Sequence, residues 1–439
     1  MMLYIRMKIF EKNTMNRKER RRIQKENTRL SFCAPYDSEL DAKSIAQSLN
    51  QANVALSMGN PELAANIIDE VLQTDPNNPD ALNLKAALLM SSNEVAEAVR
   101  IFTKVIKIVP NFAQAHFNLG SALTTVGKPK RAIKSLQQAL KIEPDYADAH
   151  YNLANALRQI EKPDVSIKHY SQTLRINPDH SGAATNLASA HLELGQPNEA
   201  YEASLQAQTI EPGNRDALAF TAIAATEKGD KQTSARILNP DLLVRPKQFD
   251  ISPGFDSLAA FNAALVDHVL THPTLAKSPH NKATRNGQQT GNLALGDQGP
   301  VAELQEMIGE ALDEYLEAIN SDKEHPYPLL IPKLTKIDIW GTVLGAQGHQ
   351  AAHMHRAAWV SGVYYAKLPD VMHSGENGNA GCIEFCRPPD EFPCTQQHDV
   401  KIIQPQEGTM VLFPSYIYHR TIPFKSTDKR ISIAFDLQA

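Results

Sequence analysis

The residues best suited to chemistry in this chain lie near its end: His353-Met354-His355, then His419, Arg430 and Ser432. Residues two apart on a strand point to one face, so His353 and His355 can aim at a single ion. A third ligand must come from a neighbouring strand, and His419 is placed for it between the apolar runs 409–413 and 430–435. Neutral imidazole suits Fe(II), Zn(II), Cu(II) or Ni(II), and three ligands on one side leave positions open for substrate and dioxygen. Arg430 and Ser432 share a strand face, and a guanidinium with a hydroxyl can clamp a carboxylate. Metal ligands beside a carboxylate clamp point to a cosubstrate that is a keto acid.

The elements that must position these side chains are short strands. Residues 360–366, 382–386, 409–413 and 430–435 alternate or stay apolar as strands do, and 336–344 sets Ile337 and Ile339 against Asp338 and Trp340. They predict a small antiparallel barrel with its core at about 335–437. Two helices precede it. Residues 251–272 carry Leu258, Phe261, Leu265, Val269 and Leu270 at three-to-four spacing, and 301–319 carry Leu304, Ile308, Leu312, Tyr315 and Leu316. Between them, 277–299 is rich in Gly, Asn, Gln and Ser and reads as a loop, a candidate lid over the site. Residues 326–332 read as a turn leading into the barrel.

At these residues the chain resembles the Fe(II)- and 2-oxoglutarate-dependent oxygenases with a double-stranded β-helix core, over roughly 253–439. The similarity rests on Gly348-His349-Gln350-Ala351-Ala352-His353-Met354-His355, Trp359-Val360-Ser361-Gly362-Val363-Tyr364-Tyr365, Gly408-Thr409-Met410-Val411-Leu412-Phe413-Pro414-Ser415, His419 and Arg430-Ile431-Ser432-Ile433-Ala434-Phe435. The polar turn Gly287-Gln288-Gln289-Thr290 is also similar. The resemblance implies that His353 and His419 hold Fe(II), that Arg430 holds the far carboxylate of 2-oxoglutarate, and that Tyr365 assists that arginine as in the prolyl-hydroxylase branch. It further implies oxidative decarboxylation of 2-oxoglutarate to succinate, coupled to hydroxylation of a substrate C–H bond. No catalytic residue is expected beyond the metal centre and this clamp.

One departure concerns the ligand set. The commonest set in that family is His-x-Asp/Glu with a distal histidine, and here the middle position is His355. Either His355 coordinates, giving a three-histidine site, or the iron has two protein ligands and an extra water. A three-histidine dioxygenase using no 2-oxoglutarate is an alternative, with Arg430 then binding a substrate carboxylate. A catalytically inactive scaffold is another. Isolated histidines such as His349, His373 and His398 carry no such signal.

Ahead of the barrel the chain repeats itself. Pro76, Pro110, Pro144, Pro178 and Pro212 stand 34 residues apart, and Ala64, Ala98, Ala132, Ser166 and Ala200 keep the same phase, as do Gly59, Gly127, Gly195 and Gly229. That period resembles tetratricopeptide helix pairs. Five to six pairs over 43–240 would form an all-α superhelix, followed by the double-stranded β-helix (jelly-roll) domain with flanking helices at 241–439. The first helices carry Asn118, Asn152 and Asn186, each followed by leucine. An amide can bond a peptide backbone through both donor and acceptor, so a concave ladder of these residues could bind a protein or peptide. The same amides could instead bond neighbouring helices. Leu84 and Phe220 interrupt the ladder in the outer repeats.

Composition sets the remaining bounds. A chain of 439 residues has room for two or three domains with real cores. A net charge of −5 argues against a nucleic-acid binder over most of the chain. Four cysteines, Cys33, Cys382, Cys386 and Cys394, are too few to staple a secreted protein of this size. A reducing, cytoplasmic setting is the expectation. With no Cys-x-x-Cys pair, the cysteines of the barrel read as packing residues rather than zinc ligands. Residues 1–42 form a basic, solvated leader with no apolar run long enough for a signal peptide or a membrane span. Met15 is an alternative start to Met1.

Overall fold

The computed structural model describes residues 42–277, 282–321, 325, 327, 332–372 and 378–438. The basic leader and most of the expected turn at 326–332 lie outside the described residues. The chain divides into two compact units, Met1–Pro178 and Asp179–Ala439.

The first unit holds four helix pairs among its described residues: α1 (Ala42–Ser57) with α2 (Pro61–Thr74), α3 (Pro79–Ser91) with α4 (Val95–Ile108), α5 (Ala113–Thr125) with α6 (Pro129–Ile142), and α7 (Ala147–Arg158) with α8 (Pro163–Ile176). Several helices begin with proline at a position where its missing N–H costs nothing, and Asn60 and Asn78 accept the orphan amides of Leu63 and Ala81. The phased small residues Ala64, Ala98, Ala132 and Ser166 are fully buried where paired helices touch. Within each pair the turn needs one residue in the left-handed region. Gly59 and Gly127 supply it at φ 72 and 68, while Asn93 and Glu161 occupy the same phase at φ 64 and 58. The two repeats lacking the glycine therefore keep the turn, with Glu161 bearing the Cβ penalty of that conformation.

The second unit begins with two further pairs, α9 (Ser181–Glu193) with α10 (Pro197–Ile210) and α11 (Arg215–Glu227) with α12 (Lys231–Leu238), then a single turn α13 (Pro240–Leu243). The helices thus end close to the expected boundary at 240, whereas the compact division falls inside the array. The end of α12 is tied to the β region: the carbonyl of Ile237 accepts from Tyr416 Oη at 2.6 Å and from His325 Nε2 at 3.0 Å.

The β region is a jelly roll of two antiparallel sheets. Its strands are β1 (Arg245–Gln248), β2 (Ala276–Lys277), β3 (Thr284–Gln289), β4 (Lys336–Gln350), β5 (Val360–Lys367), β6 (Ile383–Phe385), β7 (Lys401–Ile403), β8 (Thr409–Pro414), β9 (His419–Thr421) and β10 (Arg430–Gln438). The larger sheet has the order β1-β8-β5-β10-β4-β3-β2 and the smaller β7-β6-β9. Helix α14 (Leu258–Thr271) packs on β5, where Phe261 meets Tyr364 edge-on, and α15 (Val301–Ile319) lies against β8.

Three expectations need correction. Residues 284–289, including the supposed turn Gly287-Gln288-Gln289, form β3 rather than a loop. Their side chains are too polar to show a strand's apolar alternation, and the strand is fixed by its backbone ladder to β4. Gly287 permits this approach, since a Cβ there would lie 2.7 Å from a Leu344 methyl. The helix expected at 251–272 starts only at Leu258, because Ser257 caps it and Pro253-Gly254 precede it. Finally, His353 and His355 do not lie on a regular strand; among the described residues His353 pairs through an isolated bridge to His419.

Strand β10 runs between β4 and β5, with Phe435 directly opposite Gly362. A methyl at Gly362 would fall inside the Phe435 ring. Gly362→Ala should therefore cost about 1–3 kcal/mol in urea unfolding, the usual penalty for overpacking. Combining it with Phe435→Leu should cost less than the sum of the two single changes.

Candidate metal centre

His353 and His419 exchange both backbone bonds, His353 N–H to His419 O at 3.1 Å and His419 N–H to His353 O at 3.0 Å. Side chains of such a pair project to the same side of the ladder. The two rings stand 4.3 Å apart between centroids. His355 joins them through a second tie, its N–H donating to Ser415 O at 2.9 Å, and its ring lies 5.0 and 5.1 Å from those of His353 and His419. The metal-ligating atoms of all three histidines fall within 4.8 Å of one another.

The hydrogen bonds decide which nitrogens face one another. His353 Nδ1 lies 2.8 Å from Ala351 O, His419 Nδ1 lies 3.1 Å from Ile417 O, and His355 Nδ1 lies 2.5 Å from Asp436 Oδ1. Carbonyl and carboxylate oxygens only accept, so each Nδ1 carries a hydrogen and each neutral ring keeps its lone pair on Nε2. Metal-binding histidines are commonly oriented in this way. Asp436 is itself steadied by Ser361 Oγ at 2.6 Å. Burial, reinforced by His355, pushes the His353 imidazole down to about 4. Burial followed by His353 and His355 holds His419 well below the ordinary imidazole value. Both rings are therefore neutral at physiological pH, the form that coordinates a cation.

Arg430 is 1% exposed, and its guanidinium lies over the Tyr365 ring at 4.9 Å from the centroid. Arg430 Nη1 donates to Ser432 Oγ at 3.4 Å, but among the described residues Arg430 Nε and Tyr365 Oη have no hydrogen-bond partner. Burial pushes the Tyr365 hydroxyl up to about 12 and lowers Arg430, which remains a cation. A buried guanidinium with an open donor beside an open phenol is chemically suited to an anion's oxygen atoms. The strand registers extend this surface, since Gln289, Thr342, Ser432 and Tyr365 are successive neighbours across β3, β4, β10 and β5. Thr342 Oγ1 is a further buried atom without a hydrogen-bond partner among the described residues. Tyr364 turns the other way and donates to Asn262 Oδ1 at 2.6 Å beneath α14.

Six residues named from the sequence, His353, His355, His419, Arg430, Ser432 and Tyr365, thus belong to one jelly roll, in a histidine cluster and an arginine cluster. Asp436 and Thr342 escaped the reading. The alternation Arg430, Ser432, Ala434, Asp436 along one strand face was a signal for the first, whereas Thr342 emerges only from its pairing opposite Ser432. The asparagines stand apart from these clusters. Asn118 donates to Asn83 Oδ1 at 3.0 Å and accepts from Gln114 Nε2 at 3.2 Å, and Asn152 donates to Ser121 Oγ at 3.2 Å. At these two positions the amides link one helix pair to the one before it, and a bound peptide would have to exchange or extend these bonds.

Residues 338–436 match the family described as "Putative 2OG-Fe(II) oxygenase", and residues 55–122, 126–161 and 152–203 match tetratricopeptide-repeat families. Among solved structures, part of the chain is similar to YrrB, described as a TPR protein with an unusual peptide-binding site, at 19% identity and TM-score 0.37, covering 39% of this chain and 89% of that one. It is similar to Pseudomonas aeruginosa PilF at 20% identity and TM-score 0.42, covering 45% and 91%, and to MamA at 25% and 0.34, covering 40% and 96%. No curated protein matches the chain. Among the described residues no helix is long and apolar enough to cross a membrane.

The neutral histidines have a thermodynamic consequence in the metal-free protein. The unfolded chain protonates near pH 6.5, but folded His353 does so only near 4. As pH falls between these values the unfolded state binds more protons, so stability is lost on acidification. Urea midpoints should fall from pH 7 to pH 5, with His353 contributing on the order of 1–2 kcal/mol. His353→Gln should flatten that part of the profile.

Proposed function

We propose that this chain, which joins N-terminal tetratricopeptide repeats to a C-terminal domain of the 2OG-Fe(II) oxygenase family, is an Fe(II)- and 2-oxoglutarate-dependent dioxygenase. The observation that carries the reading is the combination in one jelly roll of three histidines with their Nδ1 atoms already committed and a buried arginine with an open donor. His353, His355 and His419 would hold the iron through Nε2. Arg430, with Ser432 and Tyr365, would hold the far carboxylate of 2-oxoglutarate. Iron and 2-oxoglutarate together supply the oxidising chemistry by which dioxygen hydroxylates a C–H bond, with succinate formed from the cosubstrate.

The protein's own part is orientation and exclusion of water. Asp436 fixes the His355 ring and favours the tautomer that presents Nε2. The Tyr365 ring keeps the guanidinium in place, and burial strengthens its attraction for a carboxylate. The substrate class we favour is a protein or peptide recruited by the repeats, with a small molecule as the other possibility. The repeats support that preference, since stacked helix pairs offer a long surface for an extended chain.

One observation favours a second reading. Among the described residues the histidine cluster includes no carboxylate, and Asp436 meets the Nδ1 side of His355 rather than its Nε2. In a three-histidine dioxygenase that uses no 2-oxoglutarate, Arg430 would instead receive a carboxylate of the substrate. Anaerobic addition of Fe(II) and then 2-oxoglutarate separates the two. We expect a visible charge-transfer band that disappears in His419→Ala and, at matched cosubstrate, in Arg430→Ala. Iron binding without any such band would remove 2-oxoglutarate from the assignment, and no iron binding would remove the enzyme reading. Asp436→Asn should weaken Fe(II) or Mn(II) binding by roughly 10–100-fold in anaerobic calorimetry, as loss of an outer-shell partner usually does.

A further inference from the structure

A second group of ligating side chains lies away from the three histidines. Residues 386–400 join β6 to β7 and are held against the helices of the same unit. Phe392 meets Phe220 of α11 edge-on at 5.8 Å, and Pro393 is in van der Waals range of a Cβ built at Gly195. This connection carries Cys394 and His398, and opposite them is Glu227, the last residue of α11. The ligating atoms of Glu227, Cys394 and His398 all lie within 4.8 Å of one another.

Glu227 uses its two oxygens differently. Oε2 accepts from Thr395 N at 2.7 Å and Thr395 Oγ1 at 2.9 Å, whereas Oε1 accepts from His398 Nε2 at 2.8 Å. Gln396 N lies 3.3 Å from both. One oxygen is thus anchored by the loop, as a ligating carboxylate is anchored by its outer shell, while the other faces an imidazole nitrogen, and the Cys394 thiol lies within 4.8 Å of a carboxylate oxygen and of the ring. A carboxylate at the C-terminal end of a helix also opposes the helix dipole, a disadvantage that a cation would relieve.

We propose that Glu227 Oε1, Cys394 Sγ and His398 Nε2 form a second metal site, suited to Zn(II). A thiolate, an imidazole and a carboxylate are the donors Zn(II) takes, and the thiolate disfavours Mg(II) and Ca(II). The two anionic donors balance the charge of a divalent ion. Cys394 is solvent-exposed, which gives the ion a way in and leaves a fourth position for water. On binding, the Cys394 thiol, which contacts Phe392 O at 3.3 Å, releases its proton to solvent, and the His398 ring gives up its Nε2 hydrogen by exchange through solvent, leaving the neutral ring protonated on Nδ1 with the Nε2 lone pair on the metal in place of the hydrogen bond to Glu227. The ion would clasp the connection onto α11. The ligands come from positions 227, 394 and 398, so no short motif announces them. The proposal is independent of the oxygenase reading, because the histidine cluster contains no sulfur.

Co(II) is the probe. The full-length protein, reduced with a non-thiol reductant and held anaerobic, is titrated with Co(II) and followed in the near ultraviolet, where only thiolate ligation gives a sulfur-to-cobalt charge-transfer band. We expect one equivalent of this band, displaced by Zn(II), lost in Cys394→Ser and weakened at least ~10-fold in affinity in Glu227→Gln, which keeps an oxygen acceptor for the Thr395 donors. His398→Gln, with folding checked by circular dichroism, serves if Cys394→Ser does not fold, and it should also lose or weaken the band. Absence of a sulfur band in the native protein would overturn the proposal, as would a band that survives both Cys394→Ser and His398→Gln.

Discussion

The candidate oxygenase site depends on the register of one strand. β10 is hydrogen-bonded on both sides, to β4 over its whole length and to β5 over most of it. Along one face it sets Arg430, Ser432, Ala434 and Asp436, so the strand that carries the candidate anion clamp also carries the carboxylate that meets His355. A slip of one residue would turn all of these to the other face of the sheet. Two paired edges, and a glycine opposite Phe435 where an added methyl would crowd that ring, hold the strand in place.

The reciprocal bridge between His353 and His419 plays the complementary part for the candidate metal ligands. It joins the β4–β5 connection to the small sheet and sets two rings side by side without a regular strand at His353. Electrostatics then distinguish the two clusters. Three rings with oxygen acceptors behind them present lone pairs, and so favour a cation. Arg430, desolvated and with Nε unpartnered, favours an anion. A chelating keto acid has the charge distribution to meet both, which is why the two clusters are more informative together than either alone.

The helix pairs follow a different rule. Their geometry is set by buried small residues at a fixed phase and by one left-handed residue in each turn, and it survives the replacement of glycine by Asn93 and Glu161. The asparagines at the ladder positions spend their hydrogen bonds on neighbouring helices, Asn118 on Asn83 and Asn152 on Ser121. Polar groups on a repeat surface can therefore set the spacing between repeats as well as meet a ligand.

Much of this architecture was legible in the sequence, because it is written in periods. A 34-residue spacing identifies helix pairs, and alternation identifies β5, β8 and β10. Residues that the structure brings together were also named from the sequence, His353, His355, His419, Arg430 and Ser432 by type and spacing and Tyr365 by family resemblance. What sequence could not carry was pairing between distant segments. β3 is polar and is a strand only because β4 offers it a ladder, and Thr342 comes beside Ser432 only through strand register. Asp436 found its role 81 residues from His355, and Glu227 meets His398 across 171. Residue types and local periodicity are properties of the chain itself, whereas these contacts exist only once backbone hydrogen bonds and core packing have fixed which strands and helices are neighbours.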